Sequence, residues 1–152
     1  MRVRQFLLIG AALSLIAGCD SQDVLAPPAG YSNAAVSRSC GPADGPAVAI
    51  YLAPVAIDTL EPAAPYIRIY LWRPVDAVLG SWLLAPSSAD GTAARYQSSP
   101  GSIETATGGN VVVLSVGADS TITGNVDLQF PSTGRVRGGF RARWISRTFL
   151  CG

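Results

Sequence analysis

Residues 121–144 hold the tightest constraint on what this chain can fold into. Ile122, Gly124, Val126, Leu128 and Phe130 alternate with Thr121, Thr123, Asn125, Asp127 and Gln129. After Pro131-Ser132-Thr133-Gly134, the residues Val136, Gly138, Phe140, Ala142 and Trp144 alternate with Arg135, Arg137, Gly139, Arg141 and Arg143. A period of two on both sides of a turn predicts a β-hairpin with one face in a core and the other in water. The apolar residues of both strands must share a face, so even positions pair with even and odd with odd. A three- or five-residue loop allows that pairing, and a four-residue loop does not. Gly124 and Gly138 fall on the core face, where each makes room for a bulky neighbour or marks a bulge.

The region before the hairpin is broken at short intervals by Pro, Gly, Ser and Asn, and the runs between are β-branched or aromatic. Val48 to Leu52 predicts a first strand. Tyr66 to Trp72 predicts a central one, with Tyr66, Arg68, Tyr70 and Trp72 on one face and Ile67, Ile69 and Leu71 on the other. Ser81 to Leu84 and Thr92 to Gln97 predict shorter strands. Gly108-Gly109-Asn110 reads as a turn ahead of a buried strand from Val111 to Val116. No segment has a sustained helical period with caps. Many short strands with frequent turns predict an all-β fold, an antiparallel β-sandwich with a small β-barrel as the alternative.

The N-terminus has a different character. Arg2 and Arg4 precede an apolar run of 12 residues, Phe6 to Ala17, and the chain then reads Leu15-Ile16-Ala17-Gly18-Cys19. The run is shorter than the roughly 20 residues a membrane-spanning helix needs. Charge, short apolar core and small residues are the parts of a secretory signal. The segment resembles the lipobox signal peptide of bacterial lipoproteins, over about the first 20 residues. That resemblance implies a diacylglycerol on the Cys19 thiol, cleavage before Cys19 and further acylation with chains such as palmitate. Dual acylation holds a protein stably on a membrane. An ordinary secretory signal containing a cysteine and a buried helix of a cytosolic domain are the competing readings. Asp20 resembles the inner-membrane retention signal of enteric lipoproteins, a rule confined to some lineages, so inner or outer membrane stays open.

These readings divide the chain into a signal peptide (1–18), a lipid-anchored flexible linker (19–39) and a single β domain (40–152). The linker is rich in Pro, Gly, Ser and Asn, and as a coil it would hold the domain about 25 Å from the headgroups. Tyr31 and Val36 either pack on the domain or, on the plainer reading, stay off it.

Two cysteines remain, Cys40 and Cys151, at the two ends of the β domain. In an oxidising compartment they are expected to form a disulfide. The competing use is a reactive or metal-binding pair, which lacks partners because the chain has no histidine.

Composition limits the chemistry. All 11 basic residues are arginine; losing Arg2 and Arg4 leaves the rest nearly balanced against 10 acidic residues. Such a chain gives no case for nucleic-acid binding. Without histidine and without a Gly-x-Ser-x-Gly elbow, a Ser-His-Asp hydrolase is excluded. Asp58, Glu61, Asp76, Asp90, Glu104 and Asp119 lie in or near turns, where backbone preference explains them; a glycosidase pair among them has no support from spacing. No metal and no cofactor beyond the lipid on Cys19 is expected, and the domain is read as non-catalytic.

Two groups of residues are candidates for binding. Arg135, Arg137, Arg141 and Arg143, with Arg147 beyond, form a stripe suited to anionic headgroups, acidic glycan or an acidic protein, or simply a solvated face. Tyr51, Tyr66, Tyr70, Trp72, Trp82 and Trp144 are core residues or the lining of a sugar-binding or apolar cavity. The expected function is a membrane-anchored cell-envelope module that binds another envelope protein or glycan, or serves structurally. A carrier of a small ligand or glycan is the alternative.

Overall fold

The computed structural model describes residues 23–58, 62–98, 102–117, 121–145 and 151. The lipobox, Leu15 to Cys19, and the residues Asp20, Glu61, Asp119 and Arg147 lie outside them. Among the described residues nine strands form one sheet: β1 (Asn33–Cys40), β2 (Pro46–Ala53), β3 (Tyr66–Leu71), β4 (Gly80–Leu83), β5 (Gly91–Tyr96), β6 (Ile103–Thr105), β7 (Gly108–Val116), β8 (Thr121–Phe130) and β9 (Gly134–Trp144). Two short 3-10 turns, Pro42–Asp44 and Val75–Ala77, complete the described elements. The fold is all-β. Its sheet runs β4-β7-β8-β9-β1-β2-β3-β5-β6 and curls into a half-barrel. The described pairs are antiparallel except β1 with β9, which run parallel through Ala35–Arg143 and Val36–Trp144.

The hairpin follows from its sequence. Phe130 pairs with Gly134, so Pro131, Ser132 and Thr133 form a three-residue loop. Gly134 closes it at φ +72°, the left-handed position such a loop requires. Even pairs with even along the whole hairpin: Leu128 with Val136, Val126 with Gly138, Gly124 with Phe140, Ile122 with Ala142. Ile122, Val126, Leu128, Phe140 and Ala142 join Val36, Val48, Ile50, Leu52, Ile67, Ile69, Leu71, Val111 and Val113 in one buried core on the inner face, with Val136 packed against it. A second, smaller cluster of Ala35, Ala49, Tyr51, Ala53, Ile57 and Tyr66 lies on the outer face of β1, β2 and β3. β3 is thus packed on both faces, as its two bulky faces predict.

Three features depart from the sequence reading. The proposed linker does not extend to residue 39: residues 33–40 form β1, which pairs with β2 over eight positions, from Asn33–Ala53 to Cys40–Pro46. Tyr31 and Val36, which the plainer reading keeps off the domain, are both buried in the main core. Ala34, Ala35, Ser37 and Ser39 have weak strand preference on their own. Their small size lets β1 pass between β2 and β9, and pairing decides the conformation.

Gly108-Gly109-Asn110 is not a turn but the first part of β7. Gly109 sits at φ +138°, where a Cβ would lie 2.2 Å from the Asp127 carbonyl oxygen. The glycine serves a close approach of two backbones inside the sheet. The third departure is β6, a three-residue edge strand paired with β5, too short for alternation to reveal.

Cys40 and Cys151 stand at disulfide distance, with Cα atoms 5.6 Å apart and a sequence separation of 111. The cross-link ties the end of β1 to the chain beyond β9.

Candidate functional site

The most distinctive local structure is the crossing of the N-terminal segment over β8 and β9. The Leu25 backbone N–H donates to Asn125 Oδ1 at 2.8 Å, and Asn125 Nδ2 donates to the Asp23 carbonyl at 3.1 Å. The Gly139 N–H then donates to the Ala26 carbonyl at 2.7 Å. Asn125 and Gly139 are paired across the two strands on the outer face. A Cβ on Gly139 would strike the Leu25 carbonyl, and one on Gly138 would strike the Pro28 nitrogen and the Ala26 carbonyl. Two successive glycines therefore give this segment its seat. Pro28 is buried beyond the crossing. The Tyr31 N–H bonds the Pro28 carbonyl across a turn with Gly30 at φ +80°, and Tyr31 then enters the core. The segment read as the middle of a flexible tether is in fact docked from Asp23 onward.

That crossing divides the arginine stripe. Arg135 and Arg137 lie on one side of Gly139, Arg141 and Arg143 on the other. Arg135 clamps Asp127 through two hydrogen bonds, Nε to Oδ1 at 2.6 Å and Nη2 to Oδ2. The hydrogen bonds of the clamp hold the Asp127 carboxyl below its ordinary pKa against the opposing effect of burial, and the charges of Arg135 and, more weakly, Arg137 add to the lowering. The same pairing raises the Arg135 guanidinium. Arg137 faces Asp127 directly across the hairpin. Arg143 Nη2 donates to the Ile57 carbonyl at 3.2 Å, bracing the loop after β2. The stripe includes the Arg135–Asp127 ion pair and the Arg143 brace, with Arg137 and Arg141 on the same face.

The aromatic residues do not converge on one cavity. On the outer face of β3 and β5, the Arg68 guanidinium carbon lies 4.8 Å from the ring centres of both Tyr70 and Tyr96. Arg68 Nη2 donates to the Tyr96 hydroxyl. Tyr96 stacks on Tyr66 at 4.4 Å, and Tyr70 stacks on Trp72 at 5.4 Å. The result is a ladder running Trp72, Tyr70, Arg68, Tyr96, Tyr66, held by ring stacking and cation–π attraction. Tyr51 packs beside Tyr66 in the outer cluster. Trp144 packs against the main core. Trp82 also packs there, with its indole N–H donating to the Val78 carbonyl at 2.7 Å. Tyr96 and Arg68 complete the ladder, and sequence reading did not join Tyr96 to it because it arrives from another strand.

A separate open cleft of about 560 Å³ lies beside the disulfide. Pro46, Ala47, Pro74, Val75, Leu79 and Val116 give it apolar walls; Arg38 and Asp76 bring opposite charges to it. Its described lining includes no aromatic ring.

Of the candidate carboxylates, Asp90 pairs with Arg73 at 3.1 Å and accepts from the Leu83 N–H at 3.3 Å. Glu104 accepts from the Ser132 hydroxyl at 2.8 Å and from the Ser132 backbone N–H. Each holds a loop in place. No group of three potential metal ligands occurs among the described residues. Comparison with protein-family models, curated proteins and solved structures finds no match to this chain.

Proposed function

We propose that this chain is an extracytoplasmic lipoprotein, anchored through Cys19, whose β domain acts as a non-catalytic binding module at the membrane surface. The observation that carries this reading is the approach of Cys40 to Cys151 to disulfide distance. Structural disulfides belong to oxidising compartments, the destination that the lipobox sequence specifies. The test is metabolic labelling with palmitate. The parent chain is expected to take up label and the Cys19→Ala variant to lose it. An unlabelled parent, or a labelled variant, overturns the anchor.

One observation favours a carrier as a second reading. The cleft lined by Leu79, Val116 and Val75, with Arg38 and Asp76 among its lining residues, has a size and composition suited to a small amphipathic ligand. An environment-sensitive apolar dye should bind the parent chain and be excluded from a Leu79→Glu variant. Equal binding by both would sink the carrier reading.

A further inference from the structure

We infer that the outer face of β8 and β9 is a membrane-contact surface, held against anionic phospholipid headgroups by a tether of only a few residues. The tether takes the lipid on Cys19 from the reading above; the orientation is a new consequence of where the chain docks.

The length of that tether follows from the docking. Asp23 and Leu25 are bonded to Asn125, and Ala26 to Gly139. Only residues 20–22 separate Cys19 from Asp23. Four Cα-to-Cα steps reach at most about 14 Å. A lipid-bearing residue sits at headgroup depth, so Asp23 must stay within that distance of the bilayer and the Asn125–Gly139 crossing close beyond it. β5 lies four strands from β9 in the sheet, about 19 Å along its surface at the usual strand spacing, and curvature carries it to the opposite wall. The tether thus turns β8 and β9 toward the membrane and leaves the Tyr70–Arg68–Tyr96 ladder on the side facing away.

The chemistry of the near face suits that position. Arg135, Arg137, Arg141 and Arg143 share it with Asp127 and Asp23, and the other outward residues of β8 are Thr121, Thr123, Asn125 and Gln129. Arginine forks match phosphate oxygens in bidentate geometry. The negative potential of an anionic leaflet acts within about a Debye length, roughly 8–10 Å, and a tether of at most about 14 Å lets these side chains enter that range. Val24 and Leu25 are exposed on the docked segment, but the strand residues of the face are polar or charged, which favours contact with headgroups.

A photo-cross-linking experiment decides the matter. With Cys40 and Cys151 disulfide-bonded, Cys19 is the thiol to which a maleimide phospholipid can be coupled on the chain beginning at residue 19. Coupling by chemistry keeps this test separate from acylation in cells, so failure of the anchor reading is scored by palmitate labelling alone. Benzoylphenylalanine is placed at Thr123 on the near face or at Thr92 on β5, in vesicles made of equal parts phosphatidylcholine and phosphatidylglycerol. Thr123 is expected to give lipid adducts several-fold more often than Thr92. Comparable yields at the two positions overturn the orientation. Arg137→Gln with Arg141→Gln is expected to lower the Thr123 yield, each arginine near an anionic surface being worth about fivefold in population. A yield unchanged by these substitutions, and equal on pure phosphatidylcholine, overturns headgroup recognition.

Discussion

Leu25 lies on the backbone of Gly139 so closely that a Cβ at position 139 would stand 2.0 Å from the Leu25 carbonyl oxygen. Both partners in that contact are main chain, so no rotamer change relieves it. Gly139→Ala should therefore lift the N-terminal segment from β9. The expected cost is about 1–3 kcal/mol, the range for overpacking a close-fitted site. Hydrogen exchange offers the direct check, because the Leu25 and Gly139 amides both donate across the crossing. Both should exchange faster in the variant while the amides of β2 and β3 stay protected. Unchanged protection at residues 25 and 139 would show that the crossing tolerates a side chain.

The same crossing marks the boundary of what the sequence discloses. The alternation from Ile122 to Trp144 defines strand pairing, register and face, because the period of two is unbroken and the three-residue loop fits it. The two-faced pattern of Tyr66 to Leu71 places β3 centrally for a similar reason. β1 is hidden because its alanines and serines carry little strand preference, and its place comes from eight pairings with β2. The spacing of the arginines is visible in the sequence. Their division at Gly139 is not, since it depends on Leu25, more than a hundred residues earlier. The aromatic ladder is half legible: Tyr66, Arg68 and Tyr70 share a face by alternation, but Tyr96 joins only when β5 pairs with β3.

Gly124 answers to Phe140. A Cβ at position 124 would meet the Phe140 ring at 2.7 Å and the Val112 carbonyl oxygen at 2.3 Å. Gly124→Ala should lower stability by about 1–3 kcal/mol, measured by urea denaturation. Adding Phe140→Leu removes the ring contact but leaves the carbonyl contact, so the double variant should not return to parental stability. Full recovery would mean that the β7 backbone moves aside readily.

The Cys40–Cys151 link closes most of the described fold into one loop, with a sequence separation of 111. The chain-entropy account of such a loop gives a stabilisation of about 4–5 kcal/mol. Cys151→Ser should show a loss of that order in equilibrium unfolding, and reductant should lower the melting temperature of the parent but not of the variant. Titration of the denatured, unreduced domain should find neither thiol. A parent insensitive to reductant would show that the bond contributes little to stability.

Asp127 gives the fold a specific response to acid. The hydrogen bonds from Arg135 lower its pKa from the ordinary 3.8, and the charges of Arg135 and Arg137 add to the effect. A carboxyl whose folded pKa is depressed binds protons less readily folded than unfolded. Its contribution to stability is present above the unfolded pKa and is lost as pH falls through the folded one. Asp127→Asn should therefore be less stable than the parent near neutral pH, and the gap should close as pH drops below about 3.8. Asp127 has a side-chain exposure of 30% and Arg135 one of 60%, so salt screens the pair and the gap at neutral pH should also shrink in concentrated salt. Arg135→Gln should reproduce the pattern, and adding it to Asp127→Asn should cost little more, because either substitution removes the clamp. Urea denaturation at a series of pH values checks this. A gap that stays constant through acid pH would assign the loss to packing around residue 127 and not to its charge.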